Sequence, residues 1–239
     1  MKLGIIGYGK MGKALHRLAP QYAFSDFVII DNEEDWLNKQ SDLQTCNVAI
    51  EFSTPQTVLS NLSKCFELQI PVVSGTTGWN DKKEEFLKLW HNVETGHTLS
   101  LQTSSISFIY GSNFSIGANI FFKLNEWLAQ QMKTQPQYAV SIEETHHIHK
   151  KDAPSGTALT IERGILSQFD NQQNIPIISH REGEVIGEHL VNYNSIEDLI
   201  QIKHAAHTRD AFAHGALKAA VWLYRHPGIY TFEDVFDKI

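Results

Sequence analysis

Cysteine is nearly missing from this chain: Cys46 and Cys65 are the only two in 239 residues. They share no C-x-x-C spacing, which excludes both a disulfide framework and a cysteine-built zinc site. Long apolar runs are also missing. No stretch approaches the ~20 residues needed to cross a bilayer, and the opening Met1-Lys2-Leu3-Gly4-Ile5-Ile6-Gly7 is too short for the core of a signal peptide. No membrane partner is expected, and a cytoplasmic location is. Basic runs are absent as well: 20 Lys and Arg against 27 Asp and Glu give a net charge of -7, which argues against a nucleic-acid surface. The chain is nevertheless long enough for one large or two modest domains. It is also rich in histidine, with 12 in all, and His146, His147 and His149 crowd together.

From Lys2 to about Gln102, short apolar runs alternate with amphipathic stretches, the pattern of parallel strands joined by crossover helices. Strands are expected at Leu3–Ile6, Phe27–Ile30, Val48–Phe52, Pro71–Ser74 and His97–Leu101, with helices at Lys10–Leu18, Thr57–Glu67 and Asp81–Trp90. A Ser- and Gly-containing stretch, Ser104–Gly117, then leads into a helix over Ala118–Met132. Strands at Tyr138–Glu144, Ile175–Ser179, Glu184–Asn192 and Ile196–His204 suggest a mixed or antiparallel sheet, with a helix at Ala158–Gln168 packed on it. A final helix, Ala211–Tyr224, should return to the first domain. The fold class is α/β: a Rossmann-type doubly wound parallel sheet in residues 1–112 plus 209–239, and a second, α+β domain with a mixed sheet in residues 113–208.

Gly7-Tyr8-Gly9-Lys10-Met11-Gly12 is a G-x-G-x-x-G turn between a predicted strand and a predicted helix. Gly7 permits the tight turn, Gly9 lets a pyrophosphate approach the backbone, and Gly12 lets helix and strand pack closely. The N–H groups at the start of the helix, Lys10 and Met11 among them, then face the phosphates. Asp31 ends the second strand where an acid would bind the adenosine ribose. With Asp31, Glu33, Glu34 and Asp35 clustered and no Arg nearby, NADH is expected to be used better than NADPH, although Lys10 and Lys39 weigh against this. Phe52-Ser53-Thr54-Pro55 and Ser74-Gly75-Thr76-Thr77-Gly78 follow the carboxyl ends of strands, where ligands of such sheets collect.

Residues 143–158, Glu143 through Ala158, concentrate proton-transfer groups, cations and a helix start. Pro154 keeps Ala153 out of a helix and Ser155 can cap one that begins near Gly156 or Thr157. That combination suits a small substrate whose carboxylates need neutralising while it gains a proton. His147 and His149 would share a face if the strand continued, as two metal ligands might, with Glu143, Glu144 or His180 as a third. They lack a well-spaced third partner, and no metal is expected.

The residues as a set resemble 4-hydroxy-tetrahydrodipicolinate reductase, formerly dihydrodipicolinate reductase. Gly7–Gly12, Glu51-Phe52-Ser53-Thr54, Gly75–Gly78, Ser112-Asn113-Phe114-Ser115, His146-His147 through Lys150 to Ser155-Gly156-Thr157-Ala158, Arg181–Gly183, Gly187–His189, His204–Ala206 and Thr208-Arg209 carry the likeness. The resemblance implies hydride transfer from NADH or NADPH to a cyclic imine bearing two carboxylates. His146 would be the proton donor or acceptor, and Lys150 a proton donor that also faces a carboxylate. His147, Gly156 and Thr157 would hold the substrate. Phe52, Gly75, Thr76, Thr77 and the stretch Ser112, Asn113, Phe114, Ser115 would contact the nicotinamide end across a domain cleft, with Arg209 near the hinge. A homotetramer built through the second domain is also implied. The chain departs from the family pattern at Lys10 and Ile148, where Arg is usual, at Glu51, where Asp is, and in the short link between Asp31 and Val48. Two other readings fit the glycine turn alone: another two-domain amino- or imino-acid dehydrogenase, or an NADH-sensing module without chemistry.

Overall fold

The computed structural model describes residues 1–79, 82, 84–86, 88, 107–169 and 174–239. They form two units, Met1–Phe114 with Phe212–Ile239, and Ser115–Ala211. The divisions fall a few residues beyond the expected 112 and 208.

In the first unit, β1 (Lys2–Ile6), β2 (Asp26–Ile30), β3 (Val48–Glu51), β4 (Val72–Ser74), β5 (Phe108–Tyr110) and β10 (Ile229–Thr231) make one sheet in the order β10-β5-β4-β3-β1-β2. Every pairing in it is parallel. Ile5, Ile6, Val48, Ala49, Ile50, Val72, Val73, Phe108 and Ile109 are buried. Continuous apolar strands of this kind are what a parallel sheet covered on both faces requires. Helices α1 (Lys10–Leu18), α2 (Glu33–Leu43) and α3 (Val58–Glu67) connect its strands.

Three of these elements were not read from the sequence. Helix α2 occupies the acidic run that reads as a short solvated link. Asn32 caps it by accepting from the Asp35 N–H, three acids sit in its first turn, and Trp36 and Leu43 are its buried residues; so thin an apolar stripe gives little periodicity to find. β5 and β10 are three residues each and carry no alternation. The expected strand at 97–101 lies outside the described residues, as does half of the expected helix at 81–90, whose described residues 82, 84–86 and 88 are helical.

The second unit carries a four-stranded sheet in the order β7-β6-β8-β9, from β6 (Ala139–His146), β7 (Ile177–Arg181), β8 (Gly187–Asn194) and β9 (Leu199–Ala206). It is mixed: β6 runs parallel to β7 and antiparallel to β8. Helices α4 (Ile116–Met132) and α5 (Gly156–Leu166) share its core, where Phe121, Phe122, Ile161 and Ile165 meet Ile142, Val191 and Tyr193.

The chain then enters α6 (Asp210–Arg225), and residues from Phe212 onward belong to the first unit. Gly215 makes this return possible: a Cβ there would stand 1.8 Å from the Phe114 carbonyl oxygen. A short helix, α7 (Phe232–Val235), closes the fold, with Phe232 against Phe114 at 4.6 Å between ring centres. No described helix is long and apolar enough to cross a membrane.

Candidate active site

Each unit gathers one group of the residues singled out from the sequence. In the first, Gly7 follows β1 with φ +86°, and a Cβ there would meet the Phe52 carbonyl oxygen at 2.2 Å. Gly12 is equally obligatory, its Cβ position lying 2.2 Å from the Gly7 oxygen. Gly9 differs, because nothing lies within 4 Å of where its Cβ would be. No side chain caps α1 there, so the free N–H groups at the helix start face open space and fit a pyrophosphate. Asp31 accepts the Tyr8 N–H at 2.7 Å, which ties the acid that ends β2 to the turn itself. Its neighbours are engaged elsewhere. Lys39 pairs with Asp35 at 2.6 Å and donates to the Ile29 carbonyl, and Lys64 pairs with Glu33.

Phe52 is the pivot of the adjoining loops. Its ring fills the place of a Gly75 side chain, with the missing Cβ 2.2 Å from it, and meets Phe114 edge-on at 5.9 Å. Beneath it, Glu51 is fully buried at the end of β3. The hydroxyls of Ser53 and Ser74 donate to Glu51, and the Ser53 N–H donates to both Glu51 and the Thr76 hydroxyl. Glu51 thus ties the Phe52–Pro55 loop to the loop that begins at Gly75. Thr76 is buried while Thr77 is exposed. Gly111 donates to the Ser74 carbonyl, which brings the stretch from Ser112 through Asn113 to Phe114 beside β4.

In the second unit, β6 places Ile142, Glu144 and His146 on its buried face, because alternate residues of a strand share a face. The register sets Ser179 of β7 and His189 of β8 on either side of Glu144, and Arg181 beside His146. The outcome is a buried polar cluster. Glu144, 1% exposed, accepts the Ser155 N–H at 3.1 and 3.2 Å and the Ser179 hydroxyl at 2.7 Å, and lies 3.5 Å from the Arg181 guanidinium. Burial pushes its carboxyl up, but the His146 imidazole, Ser155 and Ser179 outweigh that and hold it well below the usual carboxylate range.

His146 is 7% exposed, and both of its ring nitrogens are turned inward. Nδ1 lies 3.1 Å from the Ile186 carbonyl, an acceptor only, so Nδ1 carries a proton. Nε2 lies 3.4 Å from Glu144, within ion-pair reach but without a formed hydrogen bond. Gly187 makes room for the ring, since a Cβ there would come within 3.0 Å of His146 Cε1. His189 meets His146 edge-on at 5.1 Å, with the Ser155 hydroxyl 3.3 Å from its Nε2. Burial first, and then the neighbouring His146, push the His189 imidazole down to about 3.

Glu144, His146 and His189 are the described side chains close enough together to share a metal ion; the pair weighed from the sequence, His147 and His149, is not among them. Glu144 already accepts several hydrogen bonds beside a guanidinium, which makes it a poor cation ligand. β6 ends at His146, so His147 and His149 stand in the turn beyond it.

The segment after β6 hangs from this cluster. Arg181 donates to the carbonyls of Lys150 and Asp152, at 3.3 and 2.5 Å. Lys150 pairs with Asp152 at 2.9 Å. After the cis Ala153–Pro154 bond, Ser155 caps α5 by accepting from Ala158. Nothing lies within 4 Å of a Gly156 Cβ, which leaves the helix start open beside Thr157. His147 is depressed by burial and by Arg209. Ser115, grouped with the cofactor residues from sequence, caps α4 with its side chain.

Sequence reading missed Arg181 and Glu144 as anchors of this loop. The signal available was Glu144 at an inward-facing strand position, where an unpaired carboxylate would be costly.

Acidification should cost stability in two windows. His189 takes up its proton near 6.5 in the unfolded chain but near 3 in the fold, so stability falls as pH drops through that interval. Glu144 is depressed below its ordinary 4.5, so its contribution is present above that pH and is lost below it. One such group gives a slope of at most ~1.4 kcal/mol per pH unit. Urea unfolding between pH 6.5 and 4.5 should therefore be flatter in His189→Gln than in the parent; equal slopes would refute this account of His189.

Comparison with known proteins adds a family. A dihydrodipicolinate reductase N-terminus model matches residues 1–98, and its C-terminus counterpart matches residues 117–236. A 4-hydroxy-tetrahydrodipicolinate reductase of Christiangramia forsetii is 36% identical, over 100% of this chain and 99% of its own. One from Pelagibacter ubique is 31% identical over 84% and 80%. A dipicolinate-bound dihydrodipicolinate reductase from Paenisporosarcina sp. TG-14 shares the fold with a TM-score of 0.68 at 20% identity, covering 98% of this chain and 99% of the other. A probable dehydrogenase from Thermotoga maritima does so with 0.56 at 9%, over 99% and 93%. The chain belongs to the dihydrodipicolinate reductase family, the NAD(P)H-dependent oxidoreductases now called 4-hydroxy-tetrahydrodipicolinate reductases.

Proposed function

We propose that the chain reduces its cyclic dicarboxylate substrate with NADH in preference to NADPH, using Lys150 and His146 for proton transfer. The observation that carries this reading is the single loop, pinned by Glu144 and Arg181, that presents Lys150 and the open start of α5 together.

Loss of water from the hydroxylated substrate leaves a conjugated cyclic imine, and adding a hydride and a proton across it gives the tetrahydro product. Reduced nicotinamide, when bound, supplies the hydride. Residues Gly7, Gly9, Lys10, Met11 and Gly12 would hold the pyrophosphate and Asp31 the ribose, with Phe52, Gly75, Thr76, Thr77 and Ser112 to Ser115 toward the nicotinamide. Lys150 already holds a carboxylate, that of Asp152, and a substrate carboxylate would take the same place. The N–H groups of Gly156 and Thr157 face the second charge, as a helix N-terminus favours an anion, and His147 closes the site. His146 must turn Nε2 away from Glu144 to pass its proton on.

Turnover of freshly prepared hydroxy-tetrahydrodipicolinate should fall ~10²-fold or more in His146→Gln and in Lys150→Ala, the scale for losing a positioned proton-transfer group. NADH binding should survive in both variants, and an unchanged rate in either one removes that residue from its role.

The preference for NADH rests on Asp31 and Glu34, which are exposed near the ribose position, and on the pairing of Lys39 with Asp35. A 2'-phosphate would meet these negative charges with no Arg among residues 31–39 to balance them. The ratio of kcat/KM values for the two cofactors should favour NADH, and a clear NADPH preference overturns this.

Assembly as a homotetramer through the second unit is part of the same reading. Ile120, Leu124 and Trp127 lie exposed along α4, apolar area that a partner could cover. Light scattering in solution should report four copies, and a monomer refutes it.

A further inference from the structure

We propose that Glu144 is a positioning residue for the reaction: its buried carboxylate fixes the resting orientation of the His146 ring, from which Nε2 turns to pass its proton on. The inference rests on the function proposed above and adds a residue to it.

The geometry leaves Glu144 little freedom. Its two oxygens accept from the Ser155 N–H and the Ser179 hydroxyl, with the Arg181 guanidinium 3.5 Å from one oxygen and His146 Nε2 3.4 Å from the other. The charged and titratable neighbours of the His146 ring are therefore Glu144 on its own strand, His189 on β8 and Arg181 on β7. His189 turns its Nε2 to the Ser155 hydroxyl at 3.3 Å and lies 3.8 Å from the Glu144 carboxylate.

Nδ1 of His146 is committed to the Ile186 carbonyl, which makes Nε2 the nitrogen free to exchange a proton. A ring protonated on both nitrogens has an acceptor at each end, Ile186 on one side and Glu144 on the other. A ring protonated on Nδ1 alone leaves the Nε2 lone pair opposite a carboxylate. Glu144 therefore faces the one ring nitrogen that Ile186 leaves uncommitted, and its grip on the Ser155 N–H sets the α5 start in register with that imidazole. A glutamine in its place keeps the shape and the Ser155 contact, but presents Nε2 with a neutral amide in place of a carboxylate.

A double-mutant cycle separates positioning from mere support of the fold. Glu144→Gln, His146→Gln and the double variant are assayed for kcat, substrate KM and NADH affinity. Glu144→Gln should lower kcat ~10²-fold, the scale of misplacing a reacting group, and leave NADH affinity at the parent value. In the His146→Gln background the same change should lower kcat less than threefold, because the imidazole through which Glu144 acts is gone. Equal losses in the two backgrounds overturn the proposal while leaving the function intact. A His146→Gln variant as fast as the parent overturns both, and is seen before Glu144 is touched.

If Glu144→Gln does not fold, Gly187→Ala tests the same point without altering the cluster's charges. Its Cβ would press on His146 at 3.0 to 3.3 Å and shift the ring, and kcat should fall at least tenfold with substrate KM within twofold. A parent-like kcat in Gly187→Ala overturns the proposal.

Discussion

A carboxylate with no access to water holds the second unit's chemistry in place. Glu144 could not remain charged inside a sheet-and-helix core without donors, and strand register supplies them: Ser179 from one side, Arg181 diagonally, Ser155 from the helix above. An ion so buried is costly to strand. Each donor is therefore constrained by the need to satisfy it, and each in turn fixes something else. Ser155 fixes the start of α5, and Arg181 fixes the carbonyls of the segment that carries Lys150. One ionised group thus fixes the backbone of two segments, the start of α5 and the loop that carries Lys150.

The first unit uses the same device at Glu51. A second fully buried carboxylate, at the end of the central strand β3, gathers Ser53 and Ser74, and Ser53 in turn holds Thr76. Where the charge network stops, steric necessity takes over. Gly7, Gly75 and Gly215 are positions at which a methyl group would overlap backbone or the Phe52 ring, whereas Gly9 and Gly156 are open. That contrast separates glycines needed for packing from glycines that leave room for a ligand.

Much of this was legible in the sequence, for identifiable reasons. The parallel strands β1 and β3 announce themselves because burial on both faces demands unbroken apolar runs, and the turn at Gly7–Gly12 because Gly7 and Gly12 leave no room for a Cβ. Ser155 was readable as a cap because Pro154 stops any earlier helix. What escaped was short or indirect. β5 and β10 are too brief for a period, and α2 shows the sequence little more than Trp36 and Leu43 on its inner side. Apart from His146, the partners of Glu144 lie on β7, on β8 and at the N-cap of α5, between 11 and 45 residues away along the chain, so no local spacing could expose them. His146 was recognisable as a titratable group, but its inward-facing nitrogens depend on Ile186, forty residues on.

The ion pair between Lys150 and Asp152 has a consequence for any anion that reaches this loop. On the proposed reading such a molecule would enter by exchange: one carboxylate would leave the ammonium as another arrives, and the count of ion pairs at the lysine would not change. The net attraction is the difference between an internal and an external carboxylate, far smaller than the attraction of a bare cation. Dissolved electrolyte screens both partners alike, so affinity at this lysine is buffered against ionic strength. On the proposed reading, selectivity for a doubly charged ring would then fall to the second anchor, the helix start at Gly156, where nothing lies within 4 Å of a Cβ.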